Sequence, residues 1–443
     1  MTTEIAILNR SAVALAADSA VSVVTPAGIK VYGGVNKLFE LIKGRPVGVM
    51  IYNGAELSHR PWETVIKAYR EERSGQSMPT VDAYVADFRA FIRRHPELFS
   101  ARQQREALSS AVASDLIGLR NEILRGFGTA LASRRPASKR LVTTIVGNSV
   151  RRYWNEARGS YDLAGWQDAS PSLRTLVAQH RAMLDDLIDD VFQHLPLTNS
   201  LRANLRVGLV HRAFGRNDED GEFSGIVIAG FGDNEYYPRL REFRTKAMYA
   251  GRLLSSDVPD SRSDIGVSVP ADIKAFAQGD MIRSFTDGIQ DGVRARTIEY
   301  WSEWVNSAGE TARSDPRLSG LGATERSLVT AVVNELSRNA VNGFLGNMAE
   351  YEQANVKGPL LQSIAFLPKD ELGAMAESLV NLTTLKRRVS INEAQTVGGA
   401  VDVAVVSRGD GFVWLKRKHY FDQELNPSWP STHAAQPVQD NKE

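Results

Sequence analysis

Thr2-Thr3-Glu4-Ile5-Ala6-Ile7-Leu8-Asn9-Arg10-Ser11-Ala12-Val13-Ala14-Leu15-Ala16-Ala17-Asp18-Ser19 follows Met1 at the start of the chain. Two apolar runs, Glu4 to Leu8 and Ala12 to Ala17, flank Asn9-Arg10-Ser11, a polar interval of hairpin length, so the stretch reads as two neighbouring strands. Val47 to Tyr52 is a further run, ended by Asn53-Gly54. The pattern then turns helical, with Trp62, Val65, Ile66 and Tyr69 at helical spacing after Pro61 and a second helix expected over Val81 to Arg94.

From about Ser100 to Gly215 the periodicity is almost wholly helical. Leu108, Val112, Leu116, Leu119 and Ile123 make one apolar stripe, and Leu173 to Val191 carries another. Strand character returns at Ser224 to Ala229, in Arg239 to Leu253, and at Ile273 to Ala277. Helices are expected over Met281 to Val305, over Ala323 to Gln353 with interruptions at Gly343 and Gly346, and over Leu372 to Arg388. Val401 to Val406 and Gly411 to Lys416 close the order as a hairpin turning at Ser407-Arg408-Gly409-Asp410. Strands, helices, a helical insertion, strands, helices and strands in that order predict a layered α+β fold. The expected divisions are a core in three parts (1–95, 223–290 and 368–425), a helical insertion (96–222), a helical extension (291–367) and a mobile tail (426–443).

Fifty-three Lys and Arg against 52 Asp and Glu leave a formal charge of +1, so no global field exists to hold a polyanion, and nucleic acid is not expected as a partner. No cysteine is present, which excludes disulfides, thiol nucleophiles and Cys-ligated metal centres. The N-terminus lacks a basic region, Arg10 and Asp18 interrupt its apolar stretch, and no run of 18 uncharged apolar residues occurs. A soluble, cytoplasmic protein without a membrane anchor is therefore expected.

The opening residues resemble the start of the proteasome-type N-terminal-nucleophile hydrolases, the family of the proteasome β subunits and their bacterial HslV-like relatives. Mature chains of that family begin Thr-Thr and end the next strand with a block like Ala16-Ala17-Asp18-Ser19, sixteen residues after the nucleophile, as Asp18 is from Thr2. Gly34-Val35-Asn36-Lys37-Leu38 resembles the segment carrying the family's lysine, after a slightly longer loop. Val47 to Glu56 resembles the strand and turn of its oxyanion hole, with Asn53-Gly54 at the turn. Ile226 to Leu240 and Val397-Gly398-Gly399-Ala400-Val401-Asp402-Val403 resemble two later strands. The resemblance covers roughly 1–95, 223–290 and 368–421, and departs at Ala394, Val397 and Ala277-Gln278-Gly279-Asp280, where the family carries Asp and Ser.

What it implies is a four-layer αββα sandwich with large helical insertions and a threonine-type peptidase or amidohydrolase. Thr2 would be the nucleophile after removal of Met1, its own α-amine the base, Lys37 the positive charge favouring deprotonation, and Asp18 the support of Lys37. A backbone N–H of Asn53 or Gly54 would stabilise the oxyanion. Peptide or protein substrates, homo-oligomeric assembly and an unfolding ATPase or adaptor as partner follow from the same resemblance, with no cofactor. Replacing Thr2 or Lys37 by alanine should then abolish turnover and spare the fold. The alternatives are a catalytically inactive proteasome-like scaffold or assembly subunit, and a small-amide hydrolase or transferase.

Other candidates carry blander readings. Asp185, Asp186, Asp189 and Asp190 read as a solvated helix face rather than a divalent-metal site, and Asn217-Asp218-Glu219-Asp220-Gly221 lacks the closing Glu of a calcium loop. The seven histidines show no ligand spacing. Lys416-Arg417-Lys418-His419 reads as a basic strand end, and Trp301 and Trp304 as helix-packing or subunit-contact residues.

Overall fold

The computed structural model describes the chain except for residues 1, 2, 26, 27, 96, 133–137, 168–170, 218–222, 391–397, 420, 423 and 427–443. The described residues divide into two compact units, one within 1–38, 236–239 and 263–436, the other within 39–235 and 240–262.

In the first unit, five antiparallel strands lie in the order Ala271–Ala277, Thr3–Asn9, Ala12–Ala17, Asp402–Ser407, Gly411–Lys416. The N-terminal hairpin supplies the central strand, Ala12–Ala17, and its neighbour Thr3–Asn9, and every one of their residues is buried. Asn9 makes the turn: its Oδ1 accepts from the N–H groups of Ser11 and Ala12, while its Nδ2 donates to the carbonyls of Ile364 and Leu367. Ile5, Ile7, Ala14 and Ala16 pack against Leu372, Ala376, Leu379 and Val380 of helix Lys369–Val389. Each fully buried Ile or Leu in this layer contributes about 1.5–3 kcal/mol. That helix has Asp370 and Glu371 in its first turn and Lys386, Arg387 and Arg388 in its last, the arrangement its dipole favours.

The helices before it differ from the sequence reading in two places. Met281 to Val305 is not one helix: Asp280–Asp287 ends at Gly288, whose φ of +75° terminates it, and Asp291–Arg313 begins anew. Conversely, Ala323–Glu352 runs unbroken through Gly343 and Gly346, because a solvent-exposed glycine costs a helix only about 1 kcal/mol and leaves its hydrogen bonds in place. Asp291–Arg313 and Ala323–Glu352 pack closely where Gly309 faces Asn334, whose Oδ1 accepts the Gly309 N–H at 3.0 Å. A Cβ at position 309 would stand 2.3 Å from that oxygen.

The second unit holds the sheet Arg252–Asp257, Arg239–Tyr249, Ser224–Gly230, Val47–Asn53, Leu38–Glu40. Helices Trp62–Glu72 and Val81–Arg94 cover it through Trp62, Tyr69, Tyr84 and Phe88, which pack with Val49, Ile51, Ile226, Ile228 and Phe243. A further cluster joins helices Ala101–Ala132, Lys139–Ser160, Arg181–Phe192 and Asn199–Phe214 with Ala247, Tyr249 and Leu254, and buries the stripe from Leu108 to Ile123. Thr80, Ser138, Ser172 and Thr198 each accept a backbone N–H as side-chain N-caps, a contact worth about 1 kcal/mol. Each unit thus pairs an antiparallel sheet with helices, which is the mixed α and β composition the sequence predicts. Among the described residues no helix is long and apolar enough to cross a membrane.

Candidate active site

The strand register decides which side chains meet. Glu4 pairs with Ala17 across the N-terminal hairpin, so Thr3 comes beside Asp18, the residue just past the end of the second strand. Their backbones bond, Asp18 N–H donating to the Thr3 carbonyl at 3.1 Å, and the Thr3 N–H donates to Asp18 Oδ1 at 3.1 Å. Asp18 is fully buried. Its Oδ1 also accepts from Lys37 Nζ at 2.6 Å, and its Oδ2 accepts from the Gly398 N–H at 2.9 Å. One carboxylate thereby takes three donors, one of them charged, which is how a buried charge is accommodated.

Lys37 reaches this position from a segment anchored to the same corner, where the Val35 N–H donates to the Ser19 carbonyl at 3.1 Å. Between Asp18 and Lys37 the chain makes a small hairpin, Val21–Thr25 with Gly28–Tyr32, which accounts for the longer loop and which periodicity did not reveal. The lysine side chain is only 5% exposed. A second fully buried carboxylate, Glu4, has its Oε1 4.0 Å from Lys37 Nζ. Gly398 and Gly399 both adopt positive φ, at 151° and 82°, and a Cβ on Gly399 would stand 2.3 Å from Ser19 Oγ. Only glycine allows this turn to approach Asp18 and Ser19 so closely. Thr3 Oγ1 and Ser19 Oγ, both buried, have no hydrogen-bond partner among the described residues.

Of the residues expected from sequence, then, Asp18 and Lys37 are brought together. Thr2, Ala394 and Val397 lie outside the described residues. Asn53 and Gly54 lie in the second unit, at the end of strand Val47–Asn53. There Asn53 has a φ of 65°, and both its Nδ2 and the Gly54 N–H donate to the Phe223 carbonyl, at 2.9 and 3.1 Å. The Gly54 N–H expected to serve an oxyanion is thus engaged in the structure as it stands. Glu4 and Gly398 were missed: Glu4 looked like one polar residue in a strand, and a backbone N–H leaves no mark in a sequence beyond the glycine pair itself.

Gln278, in the turn where the resemblance departs, is buried, and Asp280 lies two residues on. Burial raises the proton affinity of Asp280, but hydrogen bonds and charge from Lys386 at 2.7 Å and Arg387 at 3.2 Å outweigh it and hold the carboxyl below its usual range. Elsewhere, Asp185 pairs with Arg206 and Arg181, Asp189 with Arg202, Lys416 with Glu377 and Lys418 with Asp402. The loop 218–221 lies outside the described residues, and among those described no group of three His, Asp or Glu side chains is placed to hold a metal.

No family model matches the sequence, and no curated protein does. Among solved structures the chain is similar to the Anbu (Gly-1) mutant from Hyphomicrobium sp. strain MC1, with 11% identity over 98% of this chain and 96% of that one. The TM-score is 0.25. A likeness that slight carries no argument, and the functional reading rests on the residues.

Proposed function

We propose that this protein is a proteasome-like N-terminal threonine hydrolase of peptide or other amide bonds. The observation that supports this best is the buried Lys37–Asp18 pair at the first residue of the N-terminal strand. A lysine desolvated to that degree and oriented by a carboxylate is an unusual thing to keep unless its charge is used nearby.

In this reading, excision of Met1 makes Thr2 N-terminal. Its Oγ attacks the scissile carbonyl carbon while the α-amine takes the hydroxyl proton and passes it to the departing amine, leaving an ester on Thr2. Water then attacks the ester, with the same amine as base, and releases the acid. Lys37 favours the alkoxide-like oxygen electrostatically, and Asp18, holding three donors, is the support of that ammonium rather than a base. Self-association, and an ATPase or adaptor that delivers protein substrates, belong to the same proposal.

The engaged Gly54 N–H favours a second reading, an inactive scaffold of the same fold. Intact mass of the untagged protein, with and without a peptide epoxyketone, separates the two. The hydrolase reading expects loss of Met1 and one adduct that is absent from Thr2→Ala. Retained Met1 would block the proposed base and overturn it, and Met1 loss with no adduct and no amidase turnover would leave the scaffold.

A further inference from the structure

We propose that the outer face of helix Asp291–Arg313 is a contact between two copies of this chain, two such helices lying antiparallel about a twofold axis at Tyr300. The inference holds whether or not the chain is a hydrolase. Of this helix's 23 residues Gly309 is the buried one, and the face turned away from its partner helix, Ala323–Glu352, is left open. Val293, Tyr300 and Trp304 are 52%, 56% and 42% exposed. Their spacings of seven and four put them, with Thr297, on one stripe of the helix. A groove of about 500 Å³ follows the same stripe, lined by Gln290, Gly292, Val293, Arg296, Thr297 and Tyr300.

Charge says what covers it. The helix carries Asp291, Glu299, Glu303 and Glu310 against Arg294, Arg296 and Arg313, interleaved, so it offers no single-sign surface to a nucleic acid or an anionic membrane. Along one flank of the stripe Arg296 and Glu303 stand seven apart, 64% and 62% exposed. In an antiparallel pair centred on Tyr300, Val293 meets Ser307, Thr297 meets Trp304, and Tyr300 meets its own copy. Arg296 then lies opposite Glu303, twice by symmetry. A parallel pair would instead set Arg296 against Arg296 and Glu303 against Glu303. Within its own chain Arg296 is satisfied mainly by Glu299, at 2.6 Å, and stands 3.9 Å from Glu303. A pair so joined has to remove about 1,200 Å² in total to reach the lower edge of specific interfaces. Such a contact is self-complementary, as twofold pairing requires.

Mixing two charge-reversed full-length proteins tests this. Arg296→Glu and Glu303→Arg each put like charges opposite one another, and each should weaken association at least tenfold by sedimentation equilibrium. An equimolar mixture should recover it as a heterodimer, detected by native mass spectrometry. There the two introduced side chains, of opposite charge, face each other across the contact, and the native Glu303 of the first variant faces the native Arg296 of the second. The pair within each chain stays broken in that mixture, so recovery can only come from contact between copies. A mixture no tighter than either variant overturns the proposal, and so does a wild-type protein that stays monomeric at tens of micromolar. Tyr300→Ser, which changes no charge, should weaken association by a similar factor; unchanged association there overturns the proposal as well.

Discussion

Lys37 is held by Asp18 at 2.6 Å with Glu4 4.0 Å away, all three side chains being 5% exposed or less. At the scale of the residue this changes what a substitution does. Lys37→Ala leaves the Asp18 carboxylate buried with two backbone donors and no counter-charge. Breaking a buried pair by removing one member costs about 3–5 kcal/mol. The sequence expectation that Lys37→Ala spares the fold therefore gives way to a prediction of marked destabilisation, checked by urea unfolding. The double variant Lys37→Met with Asp18→Asn should recover part of the loss, because the Asp18 charge is removed with its partner and Glu4 is the one buried carboxylate left of the three side chains. Lys37→Ala within about 1 kcal/mol of wild type would show that water reaches Asp18. Thr2→Ala, which removes no charged side chain, is the cleaner test of catalysis.

At the scale of elements, the helices of the second unit carry a pH dependence. His180 stands between helices Leu173–Gln179 and Arg181–Phe192, stacked on Phe214 at 5.6 Å, and burial pushes its pKa down. His211, in helix Asn199–Phe214, is pushed down by burial first and by Arg158, against a hydrogen bond to the Tyr161 backbone that raises it. The unfolded chain binds a proton at each near pH 6.5, before the folded chain does. Their stabilising contribution is thus complete above about pH 6.5 and is lost as pH falls through the lowered folded values. Thermal unfolding should show Tm falling between pH 7.5 and 5.5, with a flatter profile in a His180→Gln, His211→Gln variant. A flat wild-type profile would contradict it. Asp87 and Asp280, both held below the usual carboxylate range, move stability only at more acid pH, so the two effects separate.

At the scale of the whole molecule, neither unit is a continuous segment. The first takes residues 1–38 from one end and 263–436 from the other, with most of the second unit's chain between them. Strands Thr3–Asn9 and Ala12–Ala17 pair with Ala271–Ala277 on one side and Asp402–Ser407 on the other. A fragment 263–443 lacks both and would expose the apolar face of helix Lys369–Val389. It should fail to fold alone, as judged by far-UV circular dichroism and amide dispersion in NMR. A cooperative unfolding transition from that fragment would show that its sheet can close without the N-terminal hairpin.

Strand and helix identity at the N-terminus, in the stripe from Leu108 to Ile123 and in the last hairpin was legible in the sequence, because side-chain period reports which face is buried. So was the pairing of Asp18 with Lys37, although only through a resemblance: nothing in residue spacing brings a lysine back across a hairpin of its own. Gly288 and Gly343 show the limit of local reading. Both are glycines in helical sequence, and only the folded backbone shows that Gly288 ends a helix at a φ of +75° while the exposed Gly343 stays within one. Glu4 and the Gly398 N–H became parts of the site through strand register and through a turn arriving from 380 residues away. Sequence determines what each segment prefers by itself. Which buried charges come to lie together is decided by tertiary structure, because the cost of desolvating them is settled only when distant strands close over them.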